Sequence, residues 1–227
     1  MNNLSPRQII FFGCLLAFGA SFLNTGFLIE SGVSVSHMTG DISKIATESV
    51  LLDSKNINNL FKVLTATGGF ICGAVFSGYV LHHPTLEISL PYGRILSFLG
   101  LLLVSSYLIY PEHLFLTIYI CSFVCGAQNA LASRFRGTVL RTTHLTGLFT
   151  ELGIFTGMKL KGYAIESWKI TIPLYLSLSF FTGAVVSSLL VLRVHDKWLL
   201  IAGCFYTLVG LLTVIFKRLY TARNLQR

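Results

Sequence analysis

Apolar positions in this chain fall into long unbroken runs, with neither the period of two of a half-buried strand nor the stripe of an amphipathic helix. Six runs carry few charges, near 8–29, 62–81, 94–110, 114–133, 170–192 and 198–216. Each approaches the ~20 residues that take a helix across the hydrocarbon core of a bilayer. Two further segments break the pattern. Residues 40–52 and 147–160 are only mildly apolar, are short for a full crossing, and each contains an acid. Each follows a matching cluster, Ser36-His37-Met38-Thr39-Gly40 and Thr143-His144-Leu145-Thr146-Gly147. The spacing predicts a helix starting at each cluster, with Thr39 and Thr146 as N-caps and Asp41 in the first turn of the earlier one.

The clusters belong to a wider repeat. At a spacing of 107 positions, Cys14 meets Cys121, Gly19-Ala20 meets Gly126-Ala127, and His37 meets His144. At a spacing of 110, Gly73-Ala74-Val75-Phe76-Ser77 meets Gly183-Ala184-Val185-Val186-Ser187. Their common order predicts a duplication, with halves 1–111 and 112–227. Each half then reads as span, motif segment, span, span.

Charge decides the orientation. If the motif segments do not cross and the N-terminus is cytoplasmic, 12 of the 17 Lys and Arg lie inside and 5 outside. That is the sense of the positive-inside rule. A crossing motif helix would move Arg134, Arg136 and Arg141 outside. The expected fold is therefore an all-α membrane protein of six transmembrane helices. They form two inverted three-helix repeats, each with a short re-entrant or broken helix at its His-x-Thr-Gly motif. Arg7 alone precedes the first run, which is longer than a cleavable signal's, so that run is read as a retained span.

Composition agrees with a membrane setting. Of 227 residues, 53% are hydrophobic and 11% charged, with mean hydropathy +0.72. A soluble domain carries about 25% charged residues. The net charge of +8 does not indicate nucleic acid, because the basic residues flank apolar runs instead of lining one patch. The five cysteines lie in apolar runs and have no metal or redox spacing. Walker, nucleophile-elbow and zinc-protease patterns are missing, so no enzymatic activity is expected.

The candidate site residues are the polar ones stranded in or beside the spans. Asn24 and the pair Gln128-Asn129 sit in apolar runs, where an unsatisfied amide costs several kcal/mol. Each is a solute ligand or an interhelical bond. His37 and His144 can titrate, line a pathway or serve structure; without a matching Cys or Asp set they make a poor metal site. Ser36, Thr39, Gly40, Thr143, Thr146 and Gly147 surround the expected helix starts. There unpaired N–H groups and the helix dipole attract a polar or anionic ligand, and glycine admits close approach. Asp41 and Glu151 are candidates for proton or cation coupling. Arg141 is the basic residue best placed to meet an anionic solute.

These motifs resemble a known family. Gly19 to Asn24 followed by Val35-Ser36-His37-Met38-Thr39-Gly40 resembles the first-half signature of the YoaK-like family, uncharacterised bacterial membrane proteins. Gly126-Ala127-Gln128-Asn129-Ala130-Leu131-Ala132-Ser133-Arg134-Phe135, with Arg141-Thr142-Thr143-His144-Leu145-Thr146-Gly147, is similar to its second-half signature. Family members often carry Asp at the place of Asn24 and Asn at that of Asp41, so a carboxylate role at 24 passes here to Asp41. The resemblance implies a polytopic membrane protein and supplies no substrate. The expected function is a small secondary transporter or channel-like permease for a small polar or anionic solute, bound between the repeats. The alternatives are a membrane scaffold or sensor, and a lipid-acting enzyme. No cofactor or metal is expected. The expected partners are the bilayer and the solute, with homo-oligomerisation open. The expected location is the bacterial cytoplasmic (inner) membrane, both termini cytoplasmic.

Overall fold

The computed structural model describes residues 6–51, 54–81, 91–131 and 142–225. They form eight helices: α1 (Pro6–Ser31), α2 (Met38–Leu51), α3 (Ser54–Leu81), α4 (Tyr92–Ile109), α5 (Leu114–Leu131), α6 (Leu145–Leu160), α7 (Trp168–Val194) and α8 (Lys197–Leu225). Six of them, α1, α3, α4, α5, α7 and α8, are long and apolar enough to cross a membrane. α2 and α6 have 14 and 16 residues, so about 21 and 24 Å at 1.5 Å per residue. Both are shorter than the ~30 Å hydrocarbon core. α3 starts eight residues before its expected run, because its first turns are polar. Apolarity marks the part that meets lipid, Ile57–Leu81, and not the whole helix.

The spans turn large apolar side chains outward and bury an apolar core into which small polar groups are set. Phe11, Val75, Leu101, Leu116, Phe181 and Leu208, one on each span, are exposed. Ser21, Ser77, Ser106, Thr117, Gln128 and Ser187 are buried. Lipid tails give apolar helices no reason to associate, so close packing and interhelical hydrogen bonds must do it.

Three helix pairs carry most of the packing: α1 with α7, α3 with α5, and α4 with α8. In α3–α5, a methyl at Gly69 or Gly73 would collide with the carbonyl of Tyr119 or Phe123. One turn on, Ser77 Oγ donates to the Ala127 carbonyl at 2.8 Å. In α1–α7 the ladder recurs: Ser179 Oγ donates to the Cys14 carbonyl at 2.7 Å, Gly183 abuts the Phe18 carbonyl, and Ser187 Oγ donates to the Phe22 carbonyl at 2.7 Å. Both ladders climb in the same sense on their two helices, so each pair is parallel. In α4–α8, Gly93 lies against the Gly210 carbonyl (2.6 Å to an ideal Cβ) and Gly100 against that of Gly203 (2.9 Å). There the numbering runs oppositely, so the pair is antiparallel.

The short helices are held from one side: α2 packs on α3, and α6 on α7. α6 ends in a Schellman turn. Tyr163 N–H donates to the Met158 carbonyl at 3.1 Å and Gly162 N–H to that of Lys159 at 3.0 Å, with Gly162 at φ +94°, where glycine alone is unstrained. The carbonyls at and just past the end of α1 meet lysines instead. Lys62 Nζ reaches Ser31 O at 3.3 Å and Lys44 Nζ reaches Gly32 O at 3.1 Å.

Candidate functional site

The first motif is built around one amide oxygen. Asn24, buried on α1, accepts at Oδ1 from Ser34 Oγ at 2.8 Å and from Val35 N, Ser36 N and Ser36 Oγ at 3.1 Å each. Ser34 Oγ in turn accepts from His37 N at 2.7 Å. The segment before α2 is thus wrapped on Asn24, which satisfies an amide that the hydrocarbon would otherwise leave costly.

That wrapping aims His37 across the bundle. Its ring lies flat on Phe180 of α7, centroids 5.6 Å apart and planes at 8°. One face is stripped of water and the rest is open, which lowers its pKa. Asp41, in the first turn of α2, is only 7% exposed, and its Oδ2 has no hydrogen-bond partner. Burial pushes its carboxyl up to about 6, with Ser34 and Lys44 pulling back only in part.

α2 begins at Met38 and α6 at Leu145, so Thr39 and Thr146 lie inside the first turns and do not cap them. The capping work falls to the histidine in the second motif. His144 is the N-cap, and its Nδ1 accepts from Gly147 N at 3.3 Å. An imidazole nitrogen reaches the third amide of a helix as a Ser oxygen does, provided that nitrogen is unprotonated. Thr39, Gly40 and Thr146 are exposed, and no atom lies within 4 Å of an ideal Cβ at Gly40.

In the second half the central residue is Gln128 on α5, fully buried. Its Nε2 donates to Leu16 O at 2.8 Å and to Thr142 Oγ1 at 3.1 Å. Its Oε1 accepts from Tyr206 OH. One side chain therefore joins α1, α5, α8 and the segment before α6. Thr142 and Thr143 are buried. Asn129 Oδ1 is buried with no hydrogen-bond partner. Glu151, on α6, has its pKa raised by burial. Arg141 lies outside the described residues.

Phe180 draws the motifs together. It carries His37 on its face and belongs to one apolar cluster with Ala17 of α1 and Leu148 of α6. Among the described residues no three His, Cys, Asp or Glu side chains come together. Sequence reasoning missed Ser34, Thr142, Phe180 and Tyr206. The first two stand beside the motifs as polar residues and were open to notice. The other two sit in apolar helices and carry no sequence signal.

A family model described as a protein of unknown function (DUF1275) matches residues 12–212. No curated protein and no solved structure matches the chain.

Proposed function

The chain belongs to this family of unknown function, DUF1275, in keeping with its YoaK-like signatures, and we propose that it is a small secondary transporter or channel-like permease of the bacterial cytoplasmic membrane. Six apolar helices make it a multi-pass membrane protein. The further reading is that its halves, 1–111 and 112–227, are inverted repeats with a solute site between them.

The observation that carries this reading is the matched contacts. Exchange α1 with α5, α3 with α7 and α4 with α8. The α3–α5 ladder of Gly69, Gly73 and Ser77 then becomes the α1–α7 ladder of Ser179, Gly183 and Ser187, 110 positions on. The contact of Gly93 with Gly210 becomes that of Gly203 with Gly100. Since α4 and α8 are counterparts and antiparallel, the halves point opposite ways. On this reading α2 and α6 enter from opposite faces as re-entrant helices, and the 12-to-5 bias of basic residues supports cytoplasmic termini.

Broken or re-entrant helices facing each other across an inverted repeat are a transporter plan, with the site at the repeat interface. Here that interface holds Gln128, His37 on Phe180, and the α6 start capped by His144. Unpaired N–H groups at the two helix starts suit a polar or anionic solute. Asp41 carries the coupling proton in the first half and Glu151 in the second, burial raising the pKa of each.

The test is flux in liposomes holding the purified protein and a pH-sensitive dye, against a panel of small anions and neutral polar solutes. The reading expects flux above empty liposomes for at least one panel member, strongly reduced in Gln128→Leu. Coupling to a pH gradient should fall in Asp41→Asn or Glu151→Gln. No flux for any solute would sink it; unchanged coupling in both acid variants would remove the acids from the mechanism.

A further inference from the structure

The ladders fix a register that bears on Asn129. The α3–α5 ladder uses the carbonyls of Tyr119, Phe123 and Ala127, and the α1–α7 ladder uses those of Cys14, Phe18 and Phe22. These counterparts stand 105 positions apart. The same spacing, two residues further along each helix, pairs Asn24 with Asn129. The two motifs themselves are 107 apart, because the second half has two more residues between its Asn and its His.

The two asparagines are in different states. Asn24 Oδ1 holds the segment before α2 with four donors. Asn129 Oδ1 is buried and takes none. The segment before α6 is held one residue earlier, by Gln128 on Thr142. A buried carbonyl without a donor is unfavourable, and a second state of the molecule that supplies donors would use it. Inverted repeats supply that state, since a change of access lets each half take the shape the other had.

We propose that Asn129 is the second-half counterpart of the Asn24 latch: its Oδ1 captures the Thr142–Thr143 segment when Asn24 releases Ser34–Ser36. Thr143, the counterpart of Ser36, supplies the hydroxyl, and the backbone N–H groups of the segment supply the rest. Asn129 is a positioning residue for the second motif, so that only one motif is latched at a time. This inference rests on the inverted-repeat reading and does not require a solute to be known.

The experiment is hydrogen exchange by mass spectrometry on the full chain in lipid nanodiscs, following peptides over 33–38 and 142–147. Asn129→Ala removes an Oδ1 that accepts no hydrogen bond in this conformation, so it is expected to fold. It should slow exchange in 33–38 by about fivefold, equivalent to ~1 kcal/mol, and speed it in 142–147. Asn24→Ala should do the reverse, and Asn129→Asp, which keeps the acceptor, should match the parent. Asn129→Ala that changes neither peptide, or changes both in one direction, overturns the latch. If α2 and α6 are reached from the same side of the membrane, the repeat reading itself has failed. If they are reached from opposite sides without reciprocal exchange, only the latch has.

Discussion

Replacing Asn24 by Ala removes the acceptor of four donors in one step. The cost follows from what each donor has left. Val35 N–H is fully buried and has no other acceptor, so it is orphaned at about 1–3 kcal/mol. Ser36 N–H keeps Ser34 Oγ at 3.3 Å. The Ser34 and Ser36 hydroxyls can rotate, and each loses one bond of about 0.5–1.5 kcal/mol. The sum is about 2–6 kcal/mol. At roughly 2–4 °C per kcal/mol for a chain of this size, a mid-range loss of ~4 kcal/mol lowers the melting temperature by about 8–16 °C. Asn24→Asp accepts from all four donors and should lose less than ~1 kcal/mol. Trp198 packs edge-on against Phe27, one turn from Asn24, at 5.3 Å, so tryptophan fluorescence during thermal unfolding in detergent reports the change. If Ala and Asp lose equal stability, or Ala loses less than about 2 °C, the segment is not held by this oxygen.

Two further outcomes follow from the geometry. Gly73→Ala drives a methyl into the Phe123 carbonyl, whereas Gly68→Ala meets nothing within 4 Å; the first should lose about 1–3 kcal/mol or more to overpacking and the second gain about 0.5–1 in helix propensity, read as opposite shifts in melting temperature. For Asp41, burial raises the folded pKa from 3.8 to about 6. A carboxyl shifted upward favours the fold most below the unfolded value and loses that support as pH rises through the folded one, by up to ~3 kcal/mol. Stability should therefore fall between pH 4 and 6.5, and Asp41→Asn should flatten the profile and stabilise the protein at pH 7.5; an unchanged profile would show that Asp41 is not desolvated.

Much of the fold was legible because the bilayer makes composition decisive. Each of the six apolar runs marks one of the long helices, with 94–110 passing the end of α4 by one residue and 114–133 extending beyond the described residues. The helix starts at the two motifs were legible to within two residues. What misled was the cap: Thr is the usual capping residue, yet a His two positions before Thr146 holds the amide. The register of α1 on α5 was not legible either. Cys14 with Cys121 and Gly19-Ala20 with Gly126-Ala127 match at 107 positions, but the ladder contacts match at 105. Small residues recur in any membrane helix, so residue identity there says little about which turn faces a neighbour. At 105 the pairing of Asn24 with Asn129 emerges, and with it the difference between a filled acceptor and an empty one. Of the site, the polar residues inside the spans were visible in the sequence. Their partners were not, because a hydrogen bond from Gln128 to a backbone carbonyl 112 positions away leaves no trace in composition.

The inverted arrangement is tested most directly by the sidedness of the two short helices. Thr47 on α2 and Gly157 on α6 are both exposed, and each tolerates a cysteine for reaction with a membrane-impermeant maleimide. The account predicts that Thr47→Cys reacts in right-side-out vesicles and Gly157→Cys in inside-out vesicles. Reaction of both from the same side would contradict it.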